Sequence, residues 1–192
     1  ALKYYQKTLD IETRYQNYTG MAIAENNIGN VYDDLKKNKE AIKHYQIGLK
    51  YAEKENYKLL QTDFLTNLGR MYQKEKDFIQ AEKYLRKSES FSRELDAIGS
   101  LKTVCHNLGD LYYFQGKYAQ AEKCYLEALS VSKKMEDLEN IYVANQALAE
   151  LYETTEDFKK AYFYKVEAEA AKDSTFKIET AQNTDELLKK YE

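Results

Sequence analysis

Proline and tryptophan are absent from the 192 residues, and glycine occurs only seven times. A chain so poor in helix breakers and turn formers reads as helix nearly throughout. The two cysteines, Cys105 and Cys124, cannot supply a disulfide framework, and each falls on an otherwise apolar helical face where a buried thiol is expected. No run of about 18 apolar residues occurs, so no direct membrane insertion by this stretch is expected. The net charge of −3 carries no clustered Lys/Arg stripe, which argues against a nucleic-acid partner. Catalytic groups are scarce as well. His44 and His106 are far apart, and Cys105 adjoins His106 instead of being spaced as a metal ligand. There is no glycine-rich phosphate loop and no nucleophile elbow. His106 and Asp110, at i and i+4, read as a surface hydrogen-bonded pair. No catalytic residue, metal or cofactor is expected, and the chain does not read as an enzyme.

What the chain does have is a period. Sliding it by forty residues aligns Gly29, Gly69, Gly109 and Ala149; Tyr32, Tyr72, Tyr112 and Tyr152; and Ala1, Ala41, Ala81, Ala121 and Ala161. Small and aromatic residues at constant offsets mark a stacked repeat array. Within one period, Ile28, Val31, Tyr32 and Leu35 form one helical stripe and Ala41, Tyr45 and Leu49 a second, which predicts a helical hairpin. The glycine column predicts close helix crossings, since glycine inside a helix costs ~1 kcal/mol relative to alanine and is kept only where bulk cannot fit. Gly116 is expected to take a left-handed cap conformation, for which Lys36, Lys76 and Glu156 are less suited. The boundaries are a half repeat at 1–16, repeats at about 17–56, 57–96, 97–136 and 137–172, and a C-terminal capping or connector helix at 173–192, N-capped by Asp173-Ser174-Thr175 and carrying Phe176, Ile178, Ala181, Leu187, Leu188 and Tyr191. Lys165 replaces the tyrosine of Tyr125, as suits an outer repeat. Opening on a half repeat, the chain reads as part of something longer, with Leu2, Tyr5 and Leu9 exposed for a homodimer.

Leu68-Gly69 with Tyr72 and Ala81, and Leu108-Gly109 with Tyr112, Ala121 and Tyr125, resemble the tetratricopeptide repeat (TPR). The resemblance covers residues 1 to about 172. It departs from the family pattern in having Glu25, Leu65, Cys105 and Asn145 at the leading Trp position, no late Pro, and a period longer than the usual 34, which implies helices longer by about one turn. The implied fold is all-α: a right-handed α-solenoid of TPR helix-turn-helix hairpins, a half repeat plus four repeats, closed by the C-terminal helix.

In TPR geometry the first helices line a concave groove. The resemblance therefore places there Asn26, Asn27, Asn30 and Asp33; Thr66, Asn67, Arg70, Gln73 and Lys74; His106, Asn107, Asp110, Tyr113 and Phe114; and Gln146, Glu150 and Glu153. Asn27, Asn67 and Asn107 form a ladder able to hold the backbone of an extended peptide, or else to bond neighbouring helices. Arg70 and Lys74 match only part of the basic clamp with which chaperone-binding members hold a C-terminal carboxylate. The expected partner is a protein or an extended peptide. The run Ala171-Lys172-Asp173-Ser174-Thr175-Phe176, continuing to Leu187-Leu188-Lys189-Lys190-Tyr191-Glu192, resembles the junction that follows the repeats in bacterial sensor histidine kinases and related regulators. That resemblance implies the sensory or regulatory input region of a two-component signalling protein, on the periplasmic side of a membrane-anchored sensor or in the cytoplasm. The alternative is a passive scaffold or self-associating array.

Overall fold

The structure, a computed structural model, describes the backbone of residues 1–191 and the side chains of residues 1–175 and 177. Among the described residues there are nine helices and no strand. These are α1 (Leu2–Arg14), α2 (Tyr18–Asp34), α3 (Asn38–Lys54), α4 (Lys58–Lys74), α5 (Phe78–Glu94), α6 (Ile98–Phe114), α7 (Tyr118–Lys134), α8 (Leu138–Thr154) and α9 (Phe158–Tyr191). The chain is an all-α helical repeat, as expected. It divides into two compact units, Ala1–Leu111 and residues from Tyr112 onward. In the first unit each helix from α1 to α4 packs on the next; in the second, α7 packs on α8 and α8 on α9.

The columns have distinct packing roles. A Cβ on Gly29 would stand 2.5 Å from Cε1 of Tyr45, and one on Gly69 2.5 Å from Cγ of Leu85, so these glycines let the two helices of a hairpin close on a large side chain. The tyrosine column stacks on the second helix: Tyr32 on His44 at 5.2 Å between ring centroids, Tyr72 on Tyr84 at 5.4 Å and Tyr152 on Tyr164 at 5.5 Å. Such pairs contribute about 0.5–1.5 kcal/mol beyond the area they bury. A further column, Gly48, Ser88, Ala128 and Ala168, is buried throughout. At Gly48 the reason is a ring of the next repeat, because a Cβ there would meet Phe64 at 2.4 Å.

All eight connections among the described residues are the same left-handed cap, spaced by twenty residues: Gln16, Lys36, Asn56, Lys76, Asp96, Glu136 and Glu156 have φ between 49° and 61°, and Gly116 has 71°. Lys36 N–H donates to the Asp33 carbonyl at 2.8 Å and Lys37 N–H to the Tyr32 carbonyl at 2.8 Å, the two bonds of a Schellman motif. The residue after the cap then starts the next helix; Asn17, Asp77, Asp137 and Asp157 accept from the backbone N–H three positions on. Glycine at these caps is thus unnecessary, though helpful. Gly116→Ala is expected to lower stability, and Lys76→Gly to raise it, each by up to about 1 kcal/mol in urea titrations.

Three expectations are corrected. No helix begins at Asp173: α9 runs through it unbroken, because nothing there breaks a helix and the hydroxyls of Ser174 and Thr175 bond the carbonyls of Ala170 and Ala171 one turn back. Leu35 is not part of the buried stripe; as the C-cap residue of α2 it is exposed. Leu2, Tyr5 and Leu9 are half-buried in α1, which packs on α2, and the exposed apolar residues of α1 and its cap are Tyr4, Ile11 and Tyr15. The side chains of Phe176, Ile178, Ala181, Leu187, Leu188 and Tyr191 lie outside the described residues.

Candidate functional site

In the first unit one stripe of α4 carries Asp63, Thr66, Asn67, Arg70 and Lys74, at i, i+3, i+4, i+7 and i+11, so all five lie on one face, with Thr66 buried and the others reaching solvent. The structure joins this stripe to α2. Asn67 Nδ2 donates to Asn26 Oδ1 at 3.1 Å. Asp33 receives Arg70 Nη1 at 2.7 Å and Lys74 Nζ at 2.5 Å. Both cations of the partial clamp are therefore committed to one carboxylate, which leaves them poorly placed to hold the C-terminus of another chain.

Asn30 accepts from the hydroxyl of Tyr45 at 2.7 Å. Burial pushes the Tyr45 phenol up to about 12, so it stays a proton donor. Asn30 thus secures the hairpin, and its exposed face is what remains for a ligand. Asn27, Gln73 and Asn107 are half-buried. His106 Nε2 lies 3.7 Å from Asp110 Oδ2 within α6.

Between α2, α4 and the start of α6 lies a cleft of about 450 Å³, lined by Asn26, Asp63, Thr66, Asn67, Gly99, Ser100 and Thr103. Thr66 is already bonded to the Thr62 carbonyl and faces Ser88 Oγ at 2.7 Å, and Thr103 bonds the Gly99 carbonyl. Asp63 has no hydrogen bond or ion pair among the described residues. Though its side chain reaches solvent, the surrounding protein desolvates the carboxyl and raises it above the usual aspartate value. Reasoning from the repeat pattern missed Asp63. The available signal was its position one turn before Asn67 on the same helical face.

In the second unit, the Tyr113 hydroxyl donates to Glu150 Oε1 at 3.2 Å and lies 2.8 Å from Thr154 Oγ1, which joins the end of α6 to α8. Phe114 is exposed. Gln146 Nε2 donates to the Tyr142 hydroxyl at 2.5 Å, and Glu153 holds Lys165 Nζ at 2.6 Å. Among the described residues no group of three or more His, Cys, Asp or Glu side chains could hold a metal ion.

The tetratricopeptide repeat pattern matches residues 60–134 and 100–173, and a second form of it matches 26–56. The chain belongs to the tetratricopeptide repeat family, and this is a TPR protein-interaction domain. No curated protein matches it in sequence. Among solved structures it is similar to BtubC (BKLC) from P. vanneervenii, with 20% identity and a TM-score of 0.80 over 89% of this chain and 71% of that one. It is similar to aspartyl phosphate phosphatase F from Bacillus subtilis, with 18% identity and a TM-score of 0.71 over 89% of this chain and 54% of that one. A Rap protein complexed with competence and sporulation factor aligns with 18% identity and a TM-score of 0.70, over 90% of this chain and 58% of that one. The chain spans a little over half the length of these last two.

Proposed function

We propose that this chain is a non-catalytic domain that binds a protein or an extended peptide along its first-helix face, as the sensory or regulatory input region of a bacterial signalling protein such as a two-component sensor histidine kinase. The observation that carries the binding role is the polar cleft of about 450 Å³ between α2, α4 and α6, open to solvent and edged by Asn26 and Asn67, each of which spends one half of its amide on the other. The Rap protein seen with competence and sporulation factor has the same kind of fold. The signalling role is supported by the resemblance of residues 171–176 and 187–192 to the junction of sensor kinases, and periplasmic placement goes with it. Sequencing the gene beyond Glu192 tests this role: a membrane helix and kinase region supports it, and a stop codon or further repeats sinks it.

Changing Asn27, Asn67 and Asn107 together to Ala tests the binding face. Loss of the Asn67–Asn26 bond is expected to lower stability by about 1 kcal/mol. Affinity for a protein captured from the native lysate is expected to fall by roughly one to three orders of magnitude, from about 0.5–1.5 kcal/mol per lost hydrogen bond. Unchanged titration curves would move the binding site away from this face. Self-association belongs to the same proposal, with Tyr4, Ile11 and Tyr15 of the N-terminal half repeat as the docking stripe; light scattering that stays monomeric at high concentration rules it out.

A further inference from the structure

Asp63 is the one side chain of the first-unit cleft that carries a formal charge. The cations on its own helix are engaged elsewhere: Lys58 pairs with Glu94, and Arg70 and Lys74 with Asp33. No donor of the described residues engages its carboxylate, and the cleft wall opposite is made of Gly99, Ser100 and Thr103, which bring no charge. One turn along the same face, Asn67 uses an amide N–H on Asn26, and no donor among the described residues engages its carbonyl oxygen. A carboxylate and an amide oxygen at i and i+4 are two acceptors on one face, which suits the divergent N–H donors of a guanidinium.

Resting on the peptide-binding reading above, we infer that this cleft is a subsite for a cationic side chain of an extended peptide, arginine above lysine, with Asp63 as its counter-ion and Asn67 as second acceptor. The volume of about 450 Å³ falls within the range of about 300–1,000 Å³ typical of ligand sites. A cation at the subsite supplies the partner that the desolvated carboxylate lacks, and specificity then comes from charge, while the asparagines hold backbone of any sequence.

The linkage has a definite sign. With a folded value raised above the unfolded one, Asp63 disfavours the fold once it ionises; the penalty is absent below the unfolded value and complete above the folded one. Asp63→Asn is therefore expected to melt at a higher temperature than the parent at neutral pH, and at the same temperature when the pH is below the ordinary carboxylate range. A carboxylate disfavoured by its surroundings and lining a cleft whose other residues are neutral fits a binding role.

The test uses the full 192-residue chain labelled with ¹⁵N, titrated with capped Ser-Ala-Xaa-Ala-Ser peptides in which Xaa is Arg, Lys, Gln or Glu, and separately with spermidine. The Arg peptide is expected to shift the amide signals of Asn67, Gly99, Ser100 and Thr103, and to bind at least tenfold more tightly than the Gln peptide, with the Glu peptide weakest. Asp63→Asn is expected to erase the difference between Arg and Gln, and Asp63→Ser to repeat that result should the amide disturb the fold. A variant that keeps the Arg preference overturns the inference. Equal binding of all four peptides at the cleft overturns it too but leaves the peptide-binding reading standing. No shift with any peptide sinks both. Spermidine binding as tightly as the Arg peptide overturns the assignment to a peptide side chain and assigns the site to a free polyamine.

Discussion

Tyr45→Ala is expected to lower stability by about 3–5 kcal/mol, a large share of the total for a domain of this size. The ring is fully buried between α2 and α3, and its hydroxyl donates to Asn30. Its removal leaves both a cavity and an Asn30 acceptor with only solvent to meet. Gly29 makes the prediction sharper. A Cβ at Gly29 would lie 2.5 Å from Tyr45 Cε1, so Gly29→Ala alone is expected to cost about 1–3 kcal/mol by overpacking. In the Tyr45→Ala background the same methyl enters the space the ring has left, and its cost should vanish or reverse. The coupling in a double-mutant cycle should be about 1–3 kcal/mol, read from urea titrations. Simple additivity would show that residue 29 and the ring of Tyr45 are not in contact.

His44→Leu is expected to cost about 3 kcal/mol, because it strands a buried acid. Glu25 is 4% exposed, and its Oε2 lies 2.6 Å from Nδ1 of His44, whose ring stacks on Tyr32. Leucine fills the volume but offers no donor. The second repeat shows the remedy: the equivalent positions are Leu65, fully buried, and Tyr84, stacked on Tyr72. Carrying that pair into the first repeat, as Glu25→Leu with His44→Tyr, is expected to bring the melting temperature back to the parent value or above it. A double variant as unstable as His44→Leu would mean that Glu25 is not what the single variant leaves unsatisfied.

The repeat period was legible because hairpin closure demands particular side chains: Gly29 and Gly69 admit a neighbouring ring or leucine, and the tyrosines stack. Other regularities were read only at one member, as the cap was at Gly116, or not at all, because they demand less. The cap position holds Gln, Lys, Asn, Asp, Glu or Gly, since two backbone hydrogen bonds impose its conformation whatever the side chain. The column of Gly48, Ser88, Ala128 and Ala168 shares only smallness. At the C-terminus, Asp173-Ser174-Thr175 looks like a cap by residue type, yet Ser174 and Thr175 satisfy their hydroxyls equally well within a continuing helix.

The candidate site divides in the same way. Asn26, Asn67, Arg70 and Lys74 could be placed on the first-helix face from repeat register alone, but register does not say which partners are already taken. The sequence by itself determined the helical class, the forty-residue unit and the family, because periodic burial is written locally in residue size and polarity. Only the tertiary structure decided that Asp33 neutralises Arg70 and Lys74, that Asn30 serves Tyr45, and that Asp63 stands in the cleft without a counter-ion. Those outcomes depend on distances between side chains of different helices, and electrostatic pairing is set by separation in space, to which position along the chain is no guide.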